Sequence, residues 1–323
     1  MKRFLLILIV LGVIGAGVVE WANAAWDAPG LPAADGKETV ILIAPGSRTH
    51  TVAQIFEQKG IMKSGLMFEF DLRMRGLAGK IKAGEYAVPS QASMRTIATI
   101  LVEGKSIQHK LTAAEGLTSD MIWKLVQADK ALVGDAGAVP AEGSLLPETY
   151  LFTRGETRAH LLARMAKAQE KFLDEKWPDS NWSGRTQGLP LRSAREAVIL
   201  ASIVEKETSL PEERRHIAAV FINRLKIGMR LQTDPTVIYG MGPRFDGNIR
   251  KKDLSADTPW NTYTRGGLPP TPIAMPGKAS LLAAVQPAKS NALYFVARGD
   301  GSSHFSASLD EHNRAVNKYQ RGQ

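Results

Sequence analysis

The sequence predicts an α+β protein with an N-terminal transmembrane helix, a small strand, helix, helix, strand subdomain and a larger α+β domain. Three observations carry this. A basic N-terminus runs into an apolar stretch, short strand patterns alternate with amphipathic helix patterns after residue 37, and one strongly capped helical stretch, Ser193-Ala-Arg-Glu-Ala-Val-Ile-Leu-Ala-Ser-Ile-Val-Glu-Lys-Glu207-Thr208, sits well inside the larger part.

The N-terminal helix rests on Met1-Lys2-Arg3 followed by apolar or glycine residues from Phe4 to Val19. Positive charge before an apolar segment keeps the N-terminus in the cytoplasm and sends the rest across the membrane. Trp21 and Trp26 read as interfacial anchors of an uncleaved helix. Ala22-Asn23-Ala24 offers the alternative of a signal-peptide cleavage site, and either way the remainder is exported. We divide the chain into an anchor (1–24), a tether rich in Ala, Pro, Gly and Asp (25–37), a small subdomain (38–106) and a large domain (107–323).

In the small subdomain Thr39 to Ile43 reads as a strand, Thr51 to Lys59 as a helix, Lys82 to Val88 as a second strand, and Ser93 to Glu103 as a helix ending before Gly104. A strand, helix, helix, strand unit of this size serves many cell-wall proteins as a sugar-binding module and could equally be a spacer. Beyond it, Ile107 to Leu111 is a strand, Ser119 to Asp129 a helix, Ala131 to Gly143 a loop and Arg158 to Lys176 a long amphipathic helix. Leu146 to Phe152 sets an acid beside aromatics, and Trp177 to Pro190 is a loop.

Ser193 with Glu196 forms a capping box that starts the next helix at Ala194. Helical spacing puts Ala197, Leu200, Ile203 and Val204 on the core face and Ser202, Glu205 and Lys206 on the solvent face, with Glu207 in line with Leu200. A carboxyl on the core stripe in the last turn is disfavoured as an anion by desolvation and by the helix carbonyls together, so its pKa rises. That suits a general acid, while the alternative is an ion pair with an arginine across the core. Ser209-Leu-Pro-Glu212 is a second capping box, opening a helix through Leu225 that Gly228 ends. From Leu231 the chain reads as polar and aromatic turns suited to sugars, and each could be no more than a turn. Ser280 to Val285 is a helix, Leu293 to Ala297 and His304 to Ser306 are strands, and Glu311 to Tyr319 is a closing helix.

The composition narrows the function. The formal net charge of +9 favours an anionic partner, and no arginine-rich tract or zinc-finger spacing supports nucleic acid. With 0 cysteines there are no disulfides or thiolate metal sites. The six histidines show no His-x-x-x-His spacing, and there is no Gly-x-Ser-x-Gly elbow or phosphate-cradling loop, so neither a metal nor another cofactor is expected.

Taken in order, Leu146-Pro-Glu-Thr-Tyr150, Ala201-Ser-Ile-Val-Glu-Lys-Glu-Thr208, Val220-Phe-Ile-Asn-Arg-Leu225, Gly228-Met-Arg-Leu-Gln-Thr-Asp-Pro-Thr-Val-Ile-Tyr-Gly240, Asn261-Thr-Tyr263, Gly267-Leu-Pro-Pro270 and Tyr294-Phe-Val296 resemble the endolytic murein transglycosylases, the family with the YceG-like domain, from about Thr39 to Tyr319. Glu148 stands where that family often has aspartate, and Thr271 where glycine usually follows the paired prolines. The resemblance implies a single-pass anchor in the inner (cytoplasmic) membrane, a LysM-like subdomain, and a periplasmic domain that cuts peptidoglycan between MurNAc and GlcNAc as a carbon–oxygen lyase, leaving 1,6-anhydroMurNAc ends and terminating nascent strands. It puts the catalytic acid at Glu207. Gln232, Asp234, Tyr239, Asn261, Thr262 and Tyr263 are the expected sugar-binding residues. Implied partners are peptidoglycan strands, the membrane and cell-wall synthases. A hydrolytic muramidase using Asp234 as second carboxylate and a non-cutting wall-binding scaffold are the alternatives.

Overall fold

The computed structural model describes residues 2–177 and 188–322, and within the first helix the side chains at 13, 14, 16, 17 and from 19 onward. The chain is mixed α and β and divides into two compact units. One comprises residues 1–109, 131–133 and 151–156, the other 110–130, 134–150 and 157–323. Strands β3 (Gln108–Thr112) and β4 (Thr149–Thr153), which pair with each other, each carry residues of both units.

The first unit begins with α1 (Lys2–Asp27). Among the described residues no helix is long and apolar enough to cross a membrane, so the expected spanning helix is not supported. Most of the side chains of the Phe4 to Val19 run lie outside the described residues. The end of α1 corrects another expectation. Trp26 is no interfacial anchor: it is 2% exposed, stacks on Phe68 at 6.1 Å and carries the Arg75 guanidinium 4.6 Å from its ring. Trp21 stays exposed.

The stretch read as a tether also makes specific contacts. Gly30 N–H donates to Gln91 O and Leu31 N–H to Ile61 O, at 3.1 and 2.9 Å. A Cβ on Gly30 would lie 2.4 Å from the Ala92 carbonyl oxygen, so only glycine allows this approach.

Strands β1 (Glu38–Ile43) and β2 (Gly84–Pro89) pair antiparallel, from Glu38 opposite Pro89 to Ile43 opposite Gly84. Between them lie α2 (Thr49–Gln58) and α3 (Gly65–Met74), giving the strand, helix, helix, strand order, and α4 (Met94–Glu103) follows, closed by Gly104 at φ 74°. Val52, Phe56, Phe68, Leu72, Ile97 and Leu101 fill the interior with Ile41, Ile43, Tyr86 and Val88. At the edge of this unit Glu85 accepts from His109 Nε2 at 2.6 Å and Arg154 Nε at 2.8 Å.

The second unit is built around α7 (Ala194–Glu207), whose residues 197–204 are all buried. It is preceded by α5 (Ser119–Ala128) and α6 (Arg158–Lys176). The loop expected from Trp177 to Pro190 falls mainly on 178–187, outside the described residues. Helices α8 (Arg214–Lys226) and α11 (Lys278–Val285) pack on α7 through Ile217, Ala218, Phe221, Leu281 and Ala284. Between them come α9 (Asp234–Met241) and α10 (Lys251–Ser255), which the sequence presented as turns. An antiparallel hairpin of β5 (Tyr294–Ala297) and β6 (Ser303–Ser306) sets Phe295 against Phe221 and Phe305, and α12 (Leu309–Val316) follows.

The Leu146 to Phe152 stretch offers no open aromatic face. Tyr150 is buried and donates to Leu146 O at 2.8 Å, and Glu148 pairs with Lys278.

Candidate active site

Helix α7 starts at Ala194 with half of its expected capping box in place: Ser193 Oγ accepts from Glu196 N–H at 3.3 Å, but the Glu196 carboxylate accepts from Arg192 N–H at 2.7 Å instead of closing the box on Ser193 N–H. The expected division into core and solvent faces fails toward its end. Ser202 is fully buried, donating to Ile199 O at 2.7 Å and accepting from Ile273 N–H at 3.0 Å. Glu205, expected in solvent, has a side chain only 6% exposed, which lies 3.5 Å from Arg214 and accepts from Gly277 N–H at 2.9 Å. The arginine partner that would make a buried acid structural therefore belongs to Glu205.

Glu207 ends the helix half-buried and, among the described residues, has no ion-pair partner. Its Oε1 accepts a hydrogen bond from the Thr233 hydroxyl. Burial pushes its pKa up. The Thr233 hydrogen bond pulls it back, the nearby Asp234 carboxylate raises it, and Arg224 lowers it, with burial the largest influence. The predicted second capping box does not form: residues 211–213 make a turn, Thr208 Oγ1 accepts from Leu210 N–H at 3.0 Å, and α8 begins at Arg214 without a side-chain cap.

A cleft of about 420 Å³ opens beside Glu207. Gln232, Asp234 and Tyr263 line it, as does Arg224. Gln232 is held at φ 50°, sparsely populated for a residue with a Cβ, and its N–H donates to Thr262 O at 3.2 Å. Asp234 stands in the first turn of α9, where the helix dipole favours its charge, and accepts from Tyr263 OH at 2.6 Å. Burial, then that hydrogen bond, raise the Tyr263 pKa. Arg224 is buried, donating to Leu293 O at 2.7 Å and Leu231 O at 2.6 Å, so one guanidinium ties α8 to β5 and to the loop carrying Gln232.

Three expected ligands are placed elsewhere. Asn261 is fully buried, donates to Leu254 O at 3.0 Å and Ala256 O at 2.7 Å, and accepts from Tyr263 N–H at 2.8 Å. Thr262, 2% exposed, accepts from Thr233 N–H at 3.1 Å and meets the Thr236 hydroxyl at 2.9 Å. Both residues fix the backbone behind the cleft, with no polar atom left for a sugar. Tyr239 donates to Glu142 at 3.0 Å and sits edge-on to Trp260, away from the cleft, its pKa pushed up to about 12 by burial.

Sequence reasoning missed the far wall. Tyr294, Phe295, Leu309 and His312 line it, with His312 stacked on Tyr294 at 5.2 Å and 24°. His312 Nδ1 is enclosed without a partner among the described residues, and burial, then Arg224, depress its pKa. An aromatic at a predicted strand start was the available signal for Tyr294, and His312 carried none. Chemically, the cleft combines a carboxyl whose pKa is raised by burial, a second, exposed carboxyl and flat rings. Among the described residues no group of three His, Asp or Glu side chains is placed to hold a metal ion.

Comparison with known proteins places these features in context. The YceG-like family matches residues 41–318. The endolytic murein transglycosylase of Bacillus subtilis (strain 168) is 30% identical over 318 residues, covering 88% of this chain and 86% of that one. The endolytic murein transglycosylase of Streptococcus pneumoniae serotype 2 (strain D39) is 27% identical over 87% of this chain, which spans 58% of that relative. Among solved structures, a yceG-like protein from Listeria monocytogenes superposes with a TM-score of 0.55 at 30% identity, covering 86% of this chain and 98% of that one.

Proposed function

The chain belongs to the YceG-like family, and from that premise we propose that it is a lytic transglycosylase that cuts peptidoglycan glycan strands internally. The observation that carries the reading is Glu207, a carboxyl at the end of a buried helix, its pKa pushed up by burial, facing a cleft of aromatic and polar side chains.

In this mechanism the Glu207 carboxylic acid gives its proton to the glycosidic oxygen as the C1–O bond of the muramic acid residue breaks. The C6 hydroxyl oxygen of that residue bonds to C1, and its proton passes to the Glu207 carboxylate. The acid is regenerated, no water is consumed, and one strand end becomes a 1,6-anhydro ring. Thr233 orients the carboxyl. Tyr263 holds Asp234, whose negative charge stands where it can offset positive charge developing at C1.

A hydrolase normally needs two carboxylates, one as acid and one as base or nucleophile, and Asp234 is the one available in this cleft. Cutting between MurNAc and GlcNAc, and terminating nascent strands beside cell-wall synthases, follow from the same reading. The order of basic and apolar residues from Met1 to Val19 supports a position outside the cytoplasmic membrane, and the net charge of +9 suits an acidic wall polymer.

The test is mass spectrometry of strands released from purified peptidoglycan by the native chain and by Glu207→Gln. Anhydro ends from the native chain alone support the proposal. Reducing ends, heavier by one water, make it a hydrolase, and no release from either form leaves a wall-binding scaffold.

A further inference from the structure

Helix α3, in the first unit, is apolar on both sides. It buries Phe68 and Leu72 in the core, yet Leu66, Phe70 and Met74, four residues apart and therefore on one stripe, are 74%, 58% and 71% exposed. Its neighbours differ. The exposed positions of α2 and α4 are all polar, Gln54 and Glu57 on the one and Arg95 and Thr99 on the other. Large apolar side chains in an exposed row mark a surface that something else covers.

Charge and shape say what covers it. The two acids of α3 turn inward: Glu69 is 6% exposed, held by Arg73 at 2.5 Å and His50 Nδ1 at 2.7 Å, and Asp71 is 4% exposed. The Glu57 carboxylate that reaches α3 accepts from Gly65 N–H at 3.0 Å. From residue 61 to residue 76 the exposed charged side chains are Lys63, Arg73 and Arg75, all cationic. The stripe is about 12 Å long, and side chains more than half exposed make a ridge rather than a groove. A ridge suits a fluid surface that moulds to it. Helix α1 is fixed to α3, with Trp26 stacked on Phe68 and Arg75 donating to Asn23 Oδ1 at 2.8 Å, and it too leaves apolar side chains more than half exposed: Val13, Ile14, Val19 and Trp21.

We propose that Leu66, Phe70 and Met74 form a lipid-docking ridge that enters the headgroup and upper acyl layer of an anionic bilayer, while Lys63, Arg73 and Arg75 meet the lipid phosphates. A surface helix with an apolar stripe and cationic flanks lies in the plane of the interface, its apolar side about 5–10 Å deep. Acidic headgroups attract the flanking cations, and the acyl chains take the stripe out of water. The contact belongs to the folded unit itself and is separate from any insertion of α1, so it holds α3 flat against the lipid and sets how far the first unit stands from it. The inference goes beyond the reading of Glu207 and does not depend on it.

The chain has 0 cysteines, so Met74→Cys on the full chain carries a single environment-sensitive fluorophore. The labelled chain is mixed with vesicles of phosphatidylethanolamine and phosphatidylglycerol whose acyl chains are brominated either near the carbonyl end or near the methyl end. The expected result is emission that moves to the blue on the vesicles and is quenched more strongly by bromine near the carbonyl end. Adding Leu66→Glu and Phe70→Glu, both at exposed positions, should abolish the shift and the quenching with the melting temperature unchanged. Where the glutamates lower the melting temperature, Leu66→Gln with Phe70→Gln is read instead, and should weaken both signals. Emission that stays at its aqueous value on vesicle-bound chains overturns the ridge, as do quenching undiminished by these substitutions and a chain that fails to float with the vesicles. A blue shift that appears without lipid and grows with protein concentration makes the stripe an interface between copies of the chain, and overturns the lipid assignment.

Discussion

Replacing Asn261 separates a sugar ligand from a structural residue. Its amide donates to Leu254 O and Ala256 O, with Asp253 O at 3.3 Å, and its carbonyl accepts from Tyr263 N–H, all in a fully buried setting. Asn261→Ala strips partners from these backbone groups at once. Each buried polar group left unpaired costs about 1–3 kcal/mol, and one or two will find water or each other, so the net loss should be about 3 kcal/mol. For a unit of this size that lowers the melting temperature by roughly 6–12 °C. Thr262 and Tyr263 follow in sequence and hold Thr233 and Asp234, so the loosened backbone should lower turnover as well as stability. Urea unfolding and strand release should be measured on the same preparations, with Asn261→Asp as a second variant. Asn261→Asp keeps the acceptor for Tyr263 N–H but aims a carboxylate at the carbonyl oxygens, and should be no more stable than alanine. A variant within about 0.5 kcal/mol of native stability whose loss lies in KM alone would return Asn261 to the role of substrate ligand and refute the structural assignment.

The other predictions are shorter. Glu207→Gln should reduce strand release by a factor of about 10²–10⁴, the usual contribution of general acid–base catalysis. Because the folded carboxyl titrates above the unfolded one, native stability should fall as pH rises through that interval while the glutamine variant does not, so the gap between their melting temperatures should widen in favour of glutamine from acidic to alkaline pH and then level. Thr233→Val keeps the shape and removes the hydroxyl that favours the Glu207 anion, so the alkaline limb of the pH–rate profile should move to higher pH; an unmoved limb would separate that limb from Glu207. Trp26→Ala should destabilise the first unit by about 3–5 kcal/mol in denaturant unfolding, whereas an interfacial anchor would leave that transition in place.

Elements whose cause lies in contiguous residues were legible in the sequence. Ser193 caps α7, Ser93 and Gly104 bound α4, and Gly228, at φ 69°, turns the chain after α8, all from local signals. Helix α9 was not legible, because Asp234-Pro235-Thr236 reads equally as a turn and its N-cap residue Thr233 spends its hydroxyl on Glu207 rather than on its own helix. Trp26 was misread for a related reason: a tryptophan after an apolar run looks like a membrane anchor until Phe68 and Arg75 are brought to it.

The two acids at the end of α7 show where periodicity stops deciding. It assigned Glu205 to water and Glu207 to the core, yet both approach the interior, because other segments cover the last turn. Gly277 donates to Glu205 across 72 positions, and Gly116 accepts from Lys206 across 90. What separates the acids is the partner each receives. Glu205 lies against an arginine and accepts a backbone N–H, which fix it as structure. Glu207 receives one hydroxyl, too little to offset its burial. Of the two, it is the acid that lines the aromatic cleft.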